Sequence, residues 1–106
     1  MTSSAYRYTL NTGQMIRSFR DKEAEKLFRN EFSKRYQAIE KVARRMLDLL
    51  HAAGALADLG ALPGNKLEAL KSDRKGQHSI RINDQFRVCF TWSETDAYEV
   101  EIVDYH

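Results

Sequence analysis

A chain of 106 residues with 42% hydrophobic and 30% charged residues is one globular domain in size and composition, with no room for two ordinary domains. No apolar run approaches the ~20 residues that span a bilayer, and the opening MTSSAYRYTLNTGQ has no apolar leader core, so a cytoplasmic protein is expected. One cysteine, Cys89, excludes an internal disulfide, and three scattered histidines do not make a zinc site.

The net charge of +2 hides a segregation. All 17 Lys and Arg precede residue 88 and face only 10 acids there, a local balance of +7. Residues 88–106 hold five acids (Glu94, Asp96, Glu99, Glu101, Asp104) and no Lys or Arg, a balance of −5. Such separation can give a basic face suited to nucleic acid, with ordinary solvated charge as the alternative.

Residues 1–14 are polar and non-periodic and are expected to form a flexible extension, with Met15 as a candidate start and the domain proper over 15–106. Ile16-Arg17-Ser18-Phe19 alternates as a short strand does. Ser18 or Asp21 then caps a helix to about Phe32, with Ala24, Leu27 and Phe28 on one face. A longer helix is predicted from about Tyr36 to Ala53. Its stripe is Ile39, Val42, Ala43, Met46, Leu47, Leu50 and Ala53, and Gly54 is placed to end it. Lys41, Arg44 and Arg45 lie off that stripe and form either a basic surface for RNA or a solvated face.

Gly54, Gly60 and Pro63-Gly64 mark a helical turn and a loop, after which the period changes to two. Gln77–Ile82, Phe86–Trp92 and Tyr98–Asp104 read as strands joined by Asn83–Gln85 and Ser93–Ala97, an antiparallel meander. The expected class is α+β, with N-terminal helices packed on one face of a small antiparallel sheet.

Phosphate loops, GxSxG, HExxH and paired-cysteine patterns are missing from the sequence, and no cofactor or metal is implied. The run from Lys66 to Ser79 instead gathers Glu68, Lys71, Arg74, Lys75 and His78 at one loop–strand junction. Arg87 opens the next strand, and the chain finishes Asp104-Tyr105-His106. Cutting RNA without a metal requires a base for the 2′-hydroxyl, an acid for the leaving 5′-oxygen, and cations for the charged transition state. These residue types supply all three, although each also has a plainer role. His78 fits a half-buried strand position, and Arg87 could pair with Glu99 or Glu101. Lys71, Arg74 and Lys75 could solvate a turn, and Phe86, Phe90 and Trp92 read as core.

Four blocks together resemble the HigB-type toxins of the RelE/ParE toxin–antitoxin superfamily: Met15–Phe19, Pro63–Leu70, Gly76–Phe90 and Val100–His106. The resemblance implies helices packed on a small antiparallel sheet and an endoribonuclease that cuts mRNA on the ribosome and arrests translation. It also implies a helix-turn-helix, HigA-type antitoxin as partner, beside the ribosome and mRNA. Carried over by position, it assigns Asp104, Tyr105, His106 and Arg87 to the active site and Lys71 to its border. Glu68 stands where some members carry histidine, and as a carboxylate it could take the proton instead. RNA contacts are expected from Lys71, Arg74, Lys75 and His78. The competing expectations are a ParE-like inhibitor of DNA gyrase, which needs no acid–base histidine, and a basic RNA-binding module without catalysis.

Overall fold

The computed structural model describes residues 15–105; the extension expected over 1–14 and the terminal His106 lie outside the described residues. Two helices, α1 (Lys22–Phe28) and α2 (Glu40–Ala52), precede a single-turn α3 (Leu56–Leu59). Five strands follow the order β1-β5-β4-β3-β2 across one sheet: β1 (Met15–Ile16), β2 (Glu68–Ala69), β3 (Gln77–Arg81), β4 (Phe86–Ser93) and β5 (Asp96–Asp104). β2 to β5 are antiparallel, and β1 joins the edge parallel to β5. The class is therefore the α+β arrangement that the hydrophobic periodicity predicts.

Of the two candidate caps, Asp21 does the work, accepting the Glu23 amide at 2.9 Å. Its other carboxylate oxygen accepts the Tyr36 hydroxyl at 3.2 Å and the Ile102 amide at 3.3 Å, so the cap also docks α1 onto β5. Ser18 serves the sheet instead: its Oγ accepts the Glu99 amide and donates to the Glu99 carboxylate. α1 stops at Phe28 rather than running to Phe32, because Asn30 turns left-handed at φ 64°, a conformation that asparagine tolerates. Phe32 is consequently 61% exposed instead of joining the stripe.

The α2 stripe behaves as its spacing predicts: Ala43, Met46, Leu47 and Leu50 are buried against Ile80, Val88, Phe90 and Val100 of the sheet. The helix begins at Glu40, preceded by a 3-10 turn over Gln37–Ile39. Gly54 follows it without using a left-handed conformation; the chain leaves extended at Ala53, and Asp58 accepts the amides of Gly54 and Ala55.

The sheet departs from the expected pattern in four places. β1 covers only Met15–Ile16, and Phe19 adds an isolated bridge to Val100. β5 starts at Asp96, so the β4–β5 connection is Glu94-Thr95 rather than five residues, with Glu94 at φ 59°. Opposite Phe90, β5 carries one extra residue: Cys89 pairs with Glu101 but Thr91 with Tyr98, and Glu99 absorbs the bulge at φ 54°. β2, which the sequence pattern does not reveal, covers the far edge by pairing Glu68 with Ser79 and Ala69 with His78.

Candidate active site

Alternation along the central strands sorts their side chains onto two faces. Ile80, Val88, Phe90 and Ile102 enter the core under the helices. The other face carries Arg81, Arg87 and Val103 as one cross-strand row, and Glu68, Ser79, Cys89 and Glu101 as the next. Tyr105 extends β5 past its last ladder pair, tied by a hydrogen bond of 2.6 Å from its amide to the Gln85 carbonyl.

Arg87 is the centre of this face. It is 8% exposed, an unusual state for a guanidinium. Its Nη2 donates to the Lys66 carbonyl at 2.5 Å, its Nη1 lies 3.6 Å from Glu68 Oε1, and its guanidinium stands 5.1 Å from the centre of the Tyr105 ring. The carbonyl comes within reach because Lys66 is left-handed at φ 47° after the 3-10 turn Pro63–Asn65. Asn65 braces that turn, its buried amide donating to the Leu59 carbonyl at 2.8 Å. Among the described residues the Nε of Arg87 is buried without an acceptor, and His78 Nδ1, Ser79 Oγ and Asp96 Oδ1 are likewise buried without a partner. A buried donor left unmade costs about 1–3 kcal/mol.

Beside Arg87 opens a cleft of about 510 Å³ lined by Glu68, Ala69, Leu70, Lys71 and Tyr105. Glu68 is 52% exposed and Tyr105 43%, so both present reactive atoms to solvent while touching the buried cation. The structure thus assembles four of the residues singled out in the sequence: Arg87, Glu68, Tyr105 and Lys71. The pairing of Arg87 is with Glu68 rather than with Glu99 or Glu101.

The remaining candidates are placed differently. Asp104 pairs opposite Phe86, on the other side of the sheet from Arg87, and accepts the Gln85 side-chain amide at 3.1 Å. His78 pairs opposite Phe90 and stacks on its ring at 6.2 Å, so the register turns it to the helix side, away from the cleft. Arg74 is committed within the protein: its Nη1 donates to Glu101 at 2.9 Å and to Gln77 at 3.0 Å, and the Glu101 bond raises its pKa further. Lys75 is exposed at the end of the 3-10 turn Ser72–Arg74. His106 lies outside the described residues, one position beyond Tyr105. Cys89, under the same face, is fully buried, and that burial pushes its thiol up to about 11. The part of Lys66, acting through its carbonyl, and the anchoring of Arg74 by Glu101 have no signature in residue type.

The basic α2 face also resolves. Arg44 is an internal brace, donating to the carbonyls of Leu27 at 3.2 Å and Glu31 at 3.0 Å and to Glu40 at 2.9 Å. Lys41 and Arg45 are exposed.

A two-helix layer on an antiparallel sheet, with an arginine, a carboxylate and a C-terminal tyrosine on the free face, defines a small toxin of the RelE-like class. Its backbone matches a solved structure described as "The structure of YoeB dimer from Staphylococcus aureus", with a TM-score of 0.54 and 25% identity, over 90% of this chain and 99% of that one. The chain belongs to the HigB-like toxins, the RelE-like toxins of type II toxin–antitoxin systems, whose family pattern it matches over residues 17–106. It is 39% identical over 80 residues to "Toxin HigB-1" of Vibrio cholerae serotype O1, covering 74% of this chain and 84% of that protein. To "Endoribonuclease HigB" of Proteus vulgaris it is 33% identical over 94 residues, covering 87% of this chain and all of the relative. As the toxin of a type II system, it has an antitoxin as partner. Among the described residues, no helix is long and apolar enough to cross a membrane.

Proposed function

We propose that this toxin is an endoribonuclease that cuts mRNA on the ribosome by acid–base chemistry at the Arg87 cleft. The observation that carries this is the buried Arg87 guanidinium, whose Nε has no acceptor among the described residues, held between a carboxylate and a tyrosine at an open cleft. Arg87 and Lys71 hold the scissile phosphate and stabilise the charge that develops on it. Glu68 and His106 share the proton transfers: one removes the 2′-hydroxyl proton as the O2′–P bond forms, and the other protonates the 5′-oxygen as its bond to phosphorus breaks. The cut leaves a 2′,3′-cyclic phosphate. Tyr105 positions a nucleotide, and Asp104 with Gln85 holds the end of β5 that carries it. Lys75 adds positive charge at the rim, whereas Arg74 and His78 support the fold around the site. The same family membership supports a HigA-type, helix-turn-helix antitoxin and a cytoplasmic site of action.

Purified toxin is tested on programmed ribosomes against the double variant Glu68→Ala, His106→Ala. Each lost acid–base group is expected to cost roughly 10²–10⁴ in rate. A double variant that cuts ribosome-bound mRNA at the wild-type rate refutes the assignment. Inhibition of DNA supercoiling with no mRNA cut would establish gyrase as the target, and mRNA retention without cutting would establish a binder.

A further inference from the structure

Among the described residues, the loop between β2 and β3 is bonded to the sheet at two places. At its neck, the Leu70 amide donates to the Gln77 carbonyl at 2.9 Å. At its crest, Arg74 reaches over the free face: its Nη1 donates to Gln77 Oε1 on β3 at 3.0 Å and to Glu101 Oε2 on β5 at 2.9 Å. The guanidinium thereby spans β4 at Cys89, whose side chain is fully buried although it faces away from the helices. No apolar burial holds the crest: Lys71, Ser72, Asp73, Lys75 and Gly76 are all exposed. Ser72 is also left-handed at φ 56°, which a serine keeps only where its surroundings impose it. A segment with so little burial is among the first to open unless something pins it.

Glu101 supplies the pin. It stands between two arginines, Arg74 and, at 3.6 Å, Arg20, with its side chain 16% exposed. An acid on the face that receives phosphate repels the substrate, so its presence there has a cause other than RNA contact. We propose that Glu101 and Arg74 form a clamp across the sheet that positions Lys71 for the reaction. The proposal rests on the Arg87 cleft being where mRNA is cut. The Arg74 amide donates to the Lys71 carbonyl at 3.1 Å, so the turn that ends at the clamped arginine begins at Lys71. Lys71 lines the cleft, and so does Tyr105, which continues the strand of Glu101. Tying the loop to that strand therefore sets the gap between Lys71 and Tyr105. Glu101 acts through Arg74 and Arg74 through the turn, and of the three only Lys71 meets the phosphate. Displacing such a group by about 1 Å costs up to about 10² in rate, so a loosened loop is felt in the chemistry.

The test compares single-turnover cleavage on programmed ribosomes by the full-length wild type, Glu101→Ala, Arg74→Ala and both changes together, each repeated in a Lys71→Ala background. Amide hydrogen exchange is followed over residues 70–76 of the same proteins. Glu101→Ala is expected to slow cleavage at least about tenfold and to speed exchange in the loop, with exchange in the rest of the fold unchanged. Arg74→Ala should do the same, and the pair no more than either alone, since each removes the same clamp. In the Lys71→Ala background the further loss should shrink to within about threefold, a coupling that a general loss of stability does not produce. Melting curves verify folding. Where Glu101→Ala fails to fold, Glu101→Gln takes its place: it weakens the pair by removing the charge, and cleavage should slow at least about threefold. Cleavage by Glu101→Ala within about threefold of wild type overturns the proposal, as does a tenfold loss that persists without Lys71. Faster cleavage by Glu101→Ala beside slower cleavage by Arg74→Ala overturns it in favour of Arg74 as an RNA contact. A wild type that cuts no mRNA refutes the nuclease reading alone, and loop exchange then decides the clamp: unchanged exchange in Glu101→Ala overturns it.

Discussion

Replacing Arg87 with methionine separates what the guanidinium does for the fold from what it does for the reaction. Its charge-assisted hydrogen bond to the Lys66 carbonyl contributes about 1.5–3 kcal/mol. The Tyr105 ring contributes about 0.5–1 kcal/mol, and the pair with half-exposed Glu68, screened by water, at most about 1 kcal/mol. Against these stand the unpartnered Nε, about 1–3 kcal/mol, and the loss of hydration by a buried cation, several kcal/mol. The balance is near zero or against the arginine. Methionine fills similar space with no polar group to satisfy, and both Glu68 and Lys66 are exposed enough for water to take over. Arg87→Met is therefore expected to be no more than about 1 kcal/mol less stable, a fall in Tm of at most about 4–8 °C for a domain of this size. Cleavage of mRNA on programmed ribosomes should meanwhile fall by about 10²–10³, the worth of one preorganised electrostatic donor. Arg87→Lys, which keeps the charge but not the fork, should lie between. Urea melts and single-turnover cleavage check both halves. A loss of more than about 3 kcal/mol, the cost of breaking a buried pair that the fold depends on, would refute the reasoning, as would cleavage within threefold of wild type.

Other consequences are open to simple measurement. Arg44→Met removes two bonds that tie α2 to the end of α1 and one to Glu40 within α2, and its urea midpoint should report a loss of about 1–2 kcal/mol, while Lys41→Ala leaves the midpoint in place. Burial, and then the Asp21 carboxylate, push the Tyr36 hydroxyl up to about 12. A folded value above the ordinary 10 means that its contribution is whole below pH 10 and is lost as the pH climbs toward 12. Stability of the wild type should accordingly fall more steeply than that of Tyr36→Phe across that window; parallel curves would show that Tyr36 is not the titrating group. The Cys89 thiol, buried and raised to about 11, should resist a disulfide reagent at pH 8 in native protein and react at once in urea.

The parts of the fold visible in the sequence are those carried by periodicity. The α2 stripe and the three C-terminal strands fall where apolar spacing places them, because burial of one face dictates both. What periodicity misses is set by partners distant in the chain. β2 is two residues long and exists only because β3 offers an edge. The bulge at Glu99 depends on Ser18, 81 positions earlier, which holds its amide and its carboxylate at once. The early end of α1 turns on one asparagine whose left-handed conformation no apolar count detects.

The site divides in the same way. The resemblance nominates Arg87, Glu68, Tyr105 and Lys71, and the structure brings these four together at one cleft. Their neighbours could not be sorted so, since on a strand the face belongs to the register and not to the residue type. His78 is next to Ser79 in the chain, yet its pairing with Phe90 turns it to the opposite face of the sheet. Arg74 is as cationic as Lys71, yet Glu101, across the sheet, consumes its charge. The 3-10 turn Pro63–Asn65 is the extreme case. A left-handed lysine follows it because Asn65 is anchored to Leu59 on one side and the Lys66 carbonyl meets Arg87 on the other. Lysine has no preference for that conformation, so its geometry is imposed by the two contacts it joins. Disturbing either contact should therefore be felt at the other.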